Sequence, residues 1–321
     1  MKKQKNKSAI GISAVSYFLP PRSLTVAQLS KKRLIQSEIA AVKKFGFRKI
    51  FVAEKLSAGE MAELATKKIL KSSGVSPDTI DVILYSSALP STIQRRGTHR
   101  DPAELFLYPG LKLQYEFGMR KARVIGISQA GCVSFLQSLQ IAFDMLKSES
   151  DIHRVLCVSS DRLPEGSKRE ILYNLISDAS CAAIIERSTA INQLISYHQV
   201  SKGFYWDSRK MKNEIIASYF STSRFVMLEA LKKAKLTLDD IALIIPHNVN
   251  AQSWMVLLKM LGVPKEKFYG VNIAKYGHTI AADNVINLAD AVRNGRLRSG
   301  DHYMLFTFGF GAHWGCYILK H

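Results

Sequence analysis

Ala230-Leu231-Lys232-Lys233, Thr237-Leu238-Asp239-Asp240-Ile241 and Leu243-Ile244-Ile245 follow one another in the second half of this 321-residue chain. The first half carries the same order of residue types: Ala65-Thr66-Lys67-Lys68, Ser76-Pro77-Asp78-Thr79-Ile80 and Val82-Ile83-Leu84. Each set reads as a helix end, a polar turn and a short buried strand. The parallel extends further. A strand over 124–127 leads to Gly131-Cys132 and a helix; a strand over 270–273 leads to Gly277-His278 and a helix reaching Val292. Another strand follows each helix, over 155–159 and over 303–308. Strands alternating with helices give an α/β fold. The period is too long for a solenoid, so the pattern is an internal duplication. The expected halves are 1–188 and 189–321. A pseudo-twofold axis between them predicts that equivalent helix starts meet in one cleft, bringing Cys132 to His278.

Hydrophobic residues make up 47% of the chain and charged residues 22%, the balance of a globular protein large enough for a sizeable core. No apolar run reaches the roughly eighteen residues of a membrane-spanning helix. The basic start, Met1 to Lys7, leads into no apolar stretch, so no secretory signal is expected. The four cysteines, Cys132, Cys157, Cys181 and Cys316, form no CxxC pair. Their spacing suits neither a zinc site nor a disulfide framework, and a cytoplasmic setting is expected. Cys157, Cys181 and Cys316 stand in apolar strand-like runs and read as small buried side chains. The net charge of +19 argues for an acidic partner: nucleic acid, an anionic membrane or an acidic protein. The basic clusters at Lys2–Lys7, Arg95–Arg100 and Arg209–Lys212 resemble no nucleic-acid module.

Cys132 differs in context from the other cysteines. It follows a strand and begins a helix, within Ile127-Ser128-Gln129-Ala130-Gly131-Cys132-Val133-Ser134-Phe135. A helix start favours a thiolate through its partial positive charge, and a thiolate attacks thioesters well. His247, in Ile245-Pro246-His247-Asn248-Val249-Asn250, stands just past an apolar strand, where α/β sites lie. His278 stands in Tyr276-Gly277-His278-Thr279. Two histidines together can polarise a thioester carbonyl, stabilise an enolate, or move a proton. The glycine-spaced loop Phe308-Gly309-Phe310-Gly311 can bring a backbone N–H close to a reacting oxygen.

In order along the chain, these segments resemble 3-oxoacyl-[acyl carrier protein] synthase III and its relatives in the thiolase superfamily. The second half carries the stronger match: Pro246-His247-Asn248-Val249-Asn250, Leu261-Gly262-Val263-Pro264, Tyr276-Gly277-His278-Thr279, Asn294-Gly295-Arg296-Leu297, Gly300-Asp301, Phe308-Gly309 and Trp314-Gly315. The first half matches through Gly46-Phe47-Arg48, residues 76–84, Gly131-Cys132, Ser160-Asp161 and Ser177-Asp178. The resemblance implies a five-layered αβαβα thiolase fold with two pseudo-symmetric halves, and a homodimer or a heterodimer with a related subunit. It implies Cys132 as acyl-accepting nucleophile, His247 as its partner, and an oxyanion hole from the backbone N–H groups of Cys132 and Phe310. It implies that the acyl chain arrives on the phosphopantetheine arm of coenzyme A or of an acyl carrier protein. That acidic partner accounts for the charge better than nucleic acid does.

The chain departs from the family pattern at several positions. His278 stands where the family usually has Asn, giving a Cys-His-His set. The family's adenine-stacking Trp aligns with Ala40, its nearby Arg with Lys44, and the Arg after the His-x-x-Asn motif with Gln252. Lys259 is retained for carrier docking, and Asn250 for the pantetheine arm. Phe310 replaces a small glycine beside the site. No permanently bound cofactor, metal or membrane insertion is expected. The expected reaction joins acyl-Cys132 to a malonyl-type thioester with loss of carbon dioxide, in a specialised lipid or secondary-metabolite pathway. Acyl transfer to an alcohol or amine, and a non-catalytic partner subunit, are the alternatives.

Overall fold

The computed structural model describes residues 9–89, 103 and 106–321; the basic clusters Lys2–Lys7 and Arg95–Arg100 lie outside the described residues. The first half opens with β1 (Ile10–Phe18), then an excursion of β2 (Ser23–Thr25), α1 (Val26–Lys31), α2 (Ile39–Lys44) and β3 (Lys49–Phe51). It continues with α3 (Ala58–Ser73), β4 (Val82–Ser86), α4 (Pro109–Glu116), β5 (Arg123–Ile127), α5 (Ser134–Ser148) and β6 (Arg154–Asp161). A small hairpin of β7 (Glu170–Ile171) and β8 (Asn174–Leu175) precedes β9 (Ala179–Arg187). The second half runs β10 (Gln193–Ser201), α6 (Lys212–Ala234), β11 (Ile241–Ile245), α7 (Ala251–Leu261) and α8 (Val271–Tyr276). It ends with α9 (Asp283–Arg293), β12 (His302–Gly309) and β13 (His313–Lys320).

The strand order is β11-β12-β13-β10-β1-β9-β6-β4-β5. Outward from the β10–β1 seam the two sides repeat. β1 pairs antiparallel with β9, β9 antiparallel with β6, and β6 parallel with β4. On the other side β10 pairs antiparallel with β13, β13 antiparallel with β12, and β12 parallel with β11. β5 extends the first side, and the bridge between Ile244 and Phe268 stands in its place on the second. The seam itself is the Gly11–Gln193 register.

Alternation along the strands creates the layers, because successive side chains point to opposite faces. Val82, Leu84, Leu243, Ile245, Tyr303 and Leu305 face one central core. That core also takes Phe135, Leu139 and Phe143 from α5 and Val285, Ile286 and Leu288 from α9. The intervening Ile83 faces a second core under α3, and Ile244, Met304 and Phe306 face a third with α6 and α7. The sequence of helices, sheet, α5 with α9, sheet and helices gives five layers. Strands buried on both faces read as unbroken apolar runs, which is why 82–84 and 243–245 are so uniform.

Local chemistry sets the helix ends. Ser57 and Glu60 close a capping box at the start of α3, and Gly74, with φ of 68°, ends it. Two expectations need correction. Residues 270–273 do not form a strand; Val271–Tyr276 is a helix. Asn272 and Ile273 are both buried. Asn272 donates to Asn287 and Asp290 while Ile273 enters the core, so tertiary contacts override the β-branched signal. Gly131 does not open α5 directly. Residues Gly131–Val133 form one 3-10 turn, and α5 begins at Ser134.

Candidate active site

Cys132 lies in that 3-10 turn, between the end of β5 and the start of α5. It is part-exposed, whereas Cys157, Cys181 and Cys316 are buried and unbridged, as their apolar runs predict. Burial pushes all three of those thiols up, out of the reactive range. Gly131 has φ of +53°, and the turn sits tightly against the β12–β13 connection. A Cβ on Gly131 would lie 2.8 Å from the Phe310 carbonyl oxygen and 3.2 Å from the Phe310 nitrogen. A Cβ on Gly309 would lie 2.7 Å from the Cys132 nitrogen. The two glycines therefore allow the Cys132 and Phe310 backbones to approach.

His278 comes from the other half. Its N–H donates to Leu175 O (2.8 Å) and its carbonyl accepts from Ser177 N (2.8 Å), so its backbone is pinned beside β8. Its Nε2 lies 3.5 Å from Cys132 Sγ, and its Nδ1 lies 2.5 Å from Asp283 Oδ2. Asp283 is held in turn. Oδ2 also accepts from Asn248 N (2.6 Å), and Oδ1 accepts from both the N–H and the hydroxyl of Thr279 (2.6 Å each). The duplication thus brings Cys132 to His278, as the pseudo-twofold axis predicts. Burial opposes charge on His278, but the Asp283 carboxylate and the Cys132 sulfur outweigh it and hold the imidazole up at about 10.

His247 is nearby but differently placed. Its ring is fully buried among Trp254 (5.7 Å), Phe306 (5.6 Å) and His278 (6.2 Å), centroid to centroid. Neither ring nitrogen has a hydrogen-bond partner among the described residues. Burial, and then the charge of His278, drive it well below its ordinary 6.5, so it is neutral. Trp254 Nε1 donates to the His247 carbonyl (3.0 Å), fixing the segment after β11.

Cys132 and His278 open onto a cavity of about 430 Å³, lined chiefly by Leu163, Ile176, Ile215, Tyr219 and Phe308. Asn250 lines it too, caps α7 by accepting from Ser253 N (2.9 Å), and donates its backbone N–H to Asn174 Oδ1 (2.8 Å). Gln252 and Lys44 meet through Gln252 Nε2 and the Lys44 carbonyl (3.2 Å). Lys44 and Lys259 are exposed at the ends of α2 and α7. An apolar cavity with a few converging polar groups suits a flexible apolar ligand.

Asp283 carries no motif of its own in the sequence. An acidic residue in the first turn of a helix normally complements the helix dipole, so nothing local separates it from an ordinary surface carboxylate. Its spacing of five residues after His278 is the one available signal, and only if His278 is already suspected.

Two family descriptions match the chain. 3-Oxoacyl-[acyl-carrier-protein (ACP)] synthase III covers residues 128–203, and its C-terminal counterpart covers residues 231–321, together just over half the chain. The beta-ketoacyl-[acyl-carrier-protein] synthase III of Aquifex aeolicus (strain VF5) is 26% identical, over 97% of this chain and 99% of that protein. The protein of the same name from Staphylococcus aureus (strain JH1) is 28% identical, over 81% and 82%. The crystal structure of the Aquifex aeolicus VF5 3-oxoacyl-[acyl-carrier-protein] synthase III superposes with a TM-score of 0.83 at 25% identity, covering 97% of this chain and 100% of that one.

Proposed function

Because this chain belongs to the 3-oxoacyl-[acyl-carrier-protein] synthase III family of thiolase-fold acyltransferases, we propose that it condenses an acyl group held on Cys132 with a malonyl-type thioester. The observation that carries this reading is the Cys132–His278 contact of 3.5 Å at the wall of an apolar cavity. Cys132 is the nucleophile and holds the acyl group as a thioester. The backbone N–H groups of Cys132 and Phe310 receive the carbonyl oxygen as charge develops on it. His278 returns a proton to the departing thiol. His278 and the neutral His247 then flank the malonyl thioester carbonyl as carbon dioxide leaves.

The donor is a phosphopantetheine thioester of coenzyme A or an acyl carrier protein. Asn250 meets the arm, and Lys44, Gln252 and Lys259 form the docking rim. The absence of an aromatic side chain at Ala40 favours a carrier protein and a specialised lipid or secondary-metabolite pathway. Among the described residues β5 is the last strand of the sheet, with Ile125 at 37% exposure; this supports pairing with a second copy or a related subunit, because an unpaired strand edge invites another strand.

A second reading rests on the line Cys132–His278–Asp283 itself. Nucleophile, imidazole and carboxylate in sequence suit a general base that activates an alcohol or amine against acyl-Cys132. Intact-protein mass spectrometry separates the readings. The protein is incubated with acyl-coenzyme A and acyl-carrier thioesters, then with malonyl thioester. An adduct on Cys132 that malonyl thioester discharges with a 3-oxoacyl product supports condensation. An adduct discharged only by hydroxyl or amine acceptors supports transfer. An undiminished adduct in Cys132→Ala, or no adduct in the native protein, rejects Cys132 as nucleophile.

A further inference from the structure

Asp283 has no solvent-facing role. Its side chain is 1% exposed, and both oxygens are occupied by the four donors described above, from Asn248, Thr279 (two) and His278. A carboxylate held at both oxygens cannot rotate. The imidazole it binds therefore cannot rotate either, since the His278 backbone is pinned by Leu175 and Ser177. The remaining ring nitrogen, Nε2, is left facing the sulfur of Cys132. We propose that Asp283 is a positioning residue for this reaction: it holds Nδ1–H of His278 and so fixes the ring orientation in which Nε2 faces Cys132, carrying its proton before acylation and none after it. The inference rests on Cys132 being the acyl acceptor.

The chemistry of each half-reaction uses this arrangement. In acylation, Cys132 Sγ bonds to the thioester carbonyl carbon. The bond from that carbon to the donor sulfur breaks, and the donor sulfur leaves with the proton from His278 Nε2. His278 is then neutral, with Nδ1–H still donated to Asp283, whose own charge does not change. In condensation, the bond to the malonyl carboxylate breaks and carbon dioxide leaves. The electron pair becomes an enolate, which bonds to the acyl carbon as Cys132 departs as a thiolate. A proton from solvent returns to Nε2. Without the carboxylate, the ring can expose either nitrogen, and its protonated form loses its principal support.

Among the described residues, the groups facing His278 leave this role to Asp283 alone. They are Cys132 from the 131–133 turn, His247 after β11, and Asp283 itself. Asp161, at the end of β6, is engaged by Ser87 and by the backbone of Ala88 and Leu89. Asp178, beside Ser177, is paired with Arg169. His247 adds only a neutral ring.

The test is an NMR titration of the histidine Cε1–H signals in the full-length protein, with His278 assigned from His278→Asn. In the native protein His278 stays protonated to about pH 10. In Asp283→Asn its midpoint falls by roughly one to three units. Acylation of Cys132 by octanoyl-coenzyme A falls about 10²- to 10⁴-fold in Asp283→Asn, and Asp283→Glu recovers part of it. A native midpoint at or below 6.5, or a midpoint and acylation rate unchanged in Asp283→Asn, overturns the proposal. If Asp283→Asn does not fold, the native midpoint alone decides. If no thioester acylates the native protein, the nucleophile assignment fails, while the His278 midpoint still judges Asp283.

Discussion

Replacing Gly131 by Ala tests how closely the two halves must approach at the reacting sulfur. The residue has φ of +53°, a conformation that costs an L-residue about 1–2 kcal/mol. The added methyl would also stand 2.8 Å from the Phe310 carbonyl oxygen and 3.2 Å from Gly309 Cα. Both are backbone atoms and cannot swing aside as a side-chain tip would. The 309–311 loop must move away from Cys132 by several tenths of an ångström, taking the Phe310 N–H with it. Loss of one oxyanion donor costs about 10²- to 10³-fold in rate, or roughly 3–4 kcal/mol of transition-state stabilisation. The expected outcome is a folded protein less stable by about 1–3 kcal/mol in urea that acylates Cys132 at least about 10²-fold more slowly. Both quantities come from one preparation, by fluorescence unfolding and by mass spectrometry of the acyl adduct. A variant destabilised as expected but acylated at the native rate refutes the assignment of Phe310. A variant native in both respects refutes the packing argument as well.

Three further outcomes follow from the same geometry. Arg169→Met removes the guanidinium from the Asp178 carboxylate, whose side chain is 0% exposed; urea unfolding should show a loss of about 3–5 kcal/mol, with the β7–β8 wall of the cavity loosened. His278 is raised from 6.5 to about 10, so its stabilisation is complete below 6.5 and is lost as pH rises towards 10. The difference in unfolding free energy between the native protein and His278→Asn should therefore shrink over that window, and a constant difference would contradict the charge assigned to His278. Lys44→Glu and Lys259→Glu should each raise KM for a carrier-protein donor by roughly two- to fivefold at low salt; an effect that persists undiminished at high salt would count against electrostatic docking.

Much of the fold is legible in the residues because burial imposes a period. Residues 82–84 and 243–245 are apolar on both faces, and α5 carries Phe135, Leu139 and Phe143 on one side, so strand and helix identities follow directly. The repeated order of these segments even predicts that Cys132 and His278 meet. Where local preference and tertiary contact disagree, tertiary contact wins. Residues 271–276 carry a strand-like signal but form a helix, in which Asn272 bonds Asn287 and Ile273 enters the core.

Chemical identity along the chain determined the candidates: a cysteine at a helix start, histidines beside glycine and after a strand, and a glycine-spaced loop. Their division of labour was decided only in three dimensions. The sequence offers His247 and His278 as candidates but does not show what surrounds each ring. In the folded chain one ring lies among Trp254 and Phe306 with no polar partner among the described residues, and the other bridges Cys132 and Asp283. A proton's affinity depends on desolvation and on charges within a few ångströms. The contact of Cys132 with His278 joins residues 146 positions apart, and even Asp283, only five residues from His278, is turned onto that ring by the folded chain.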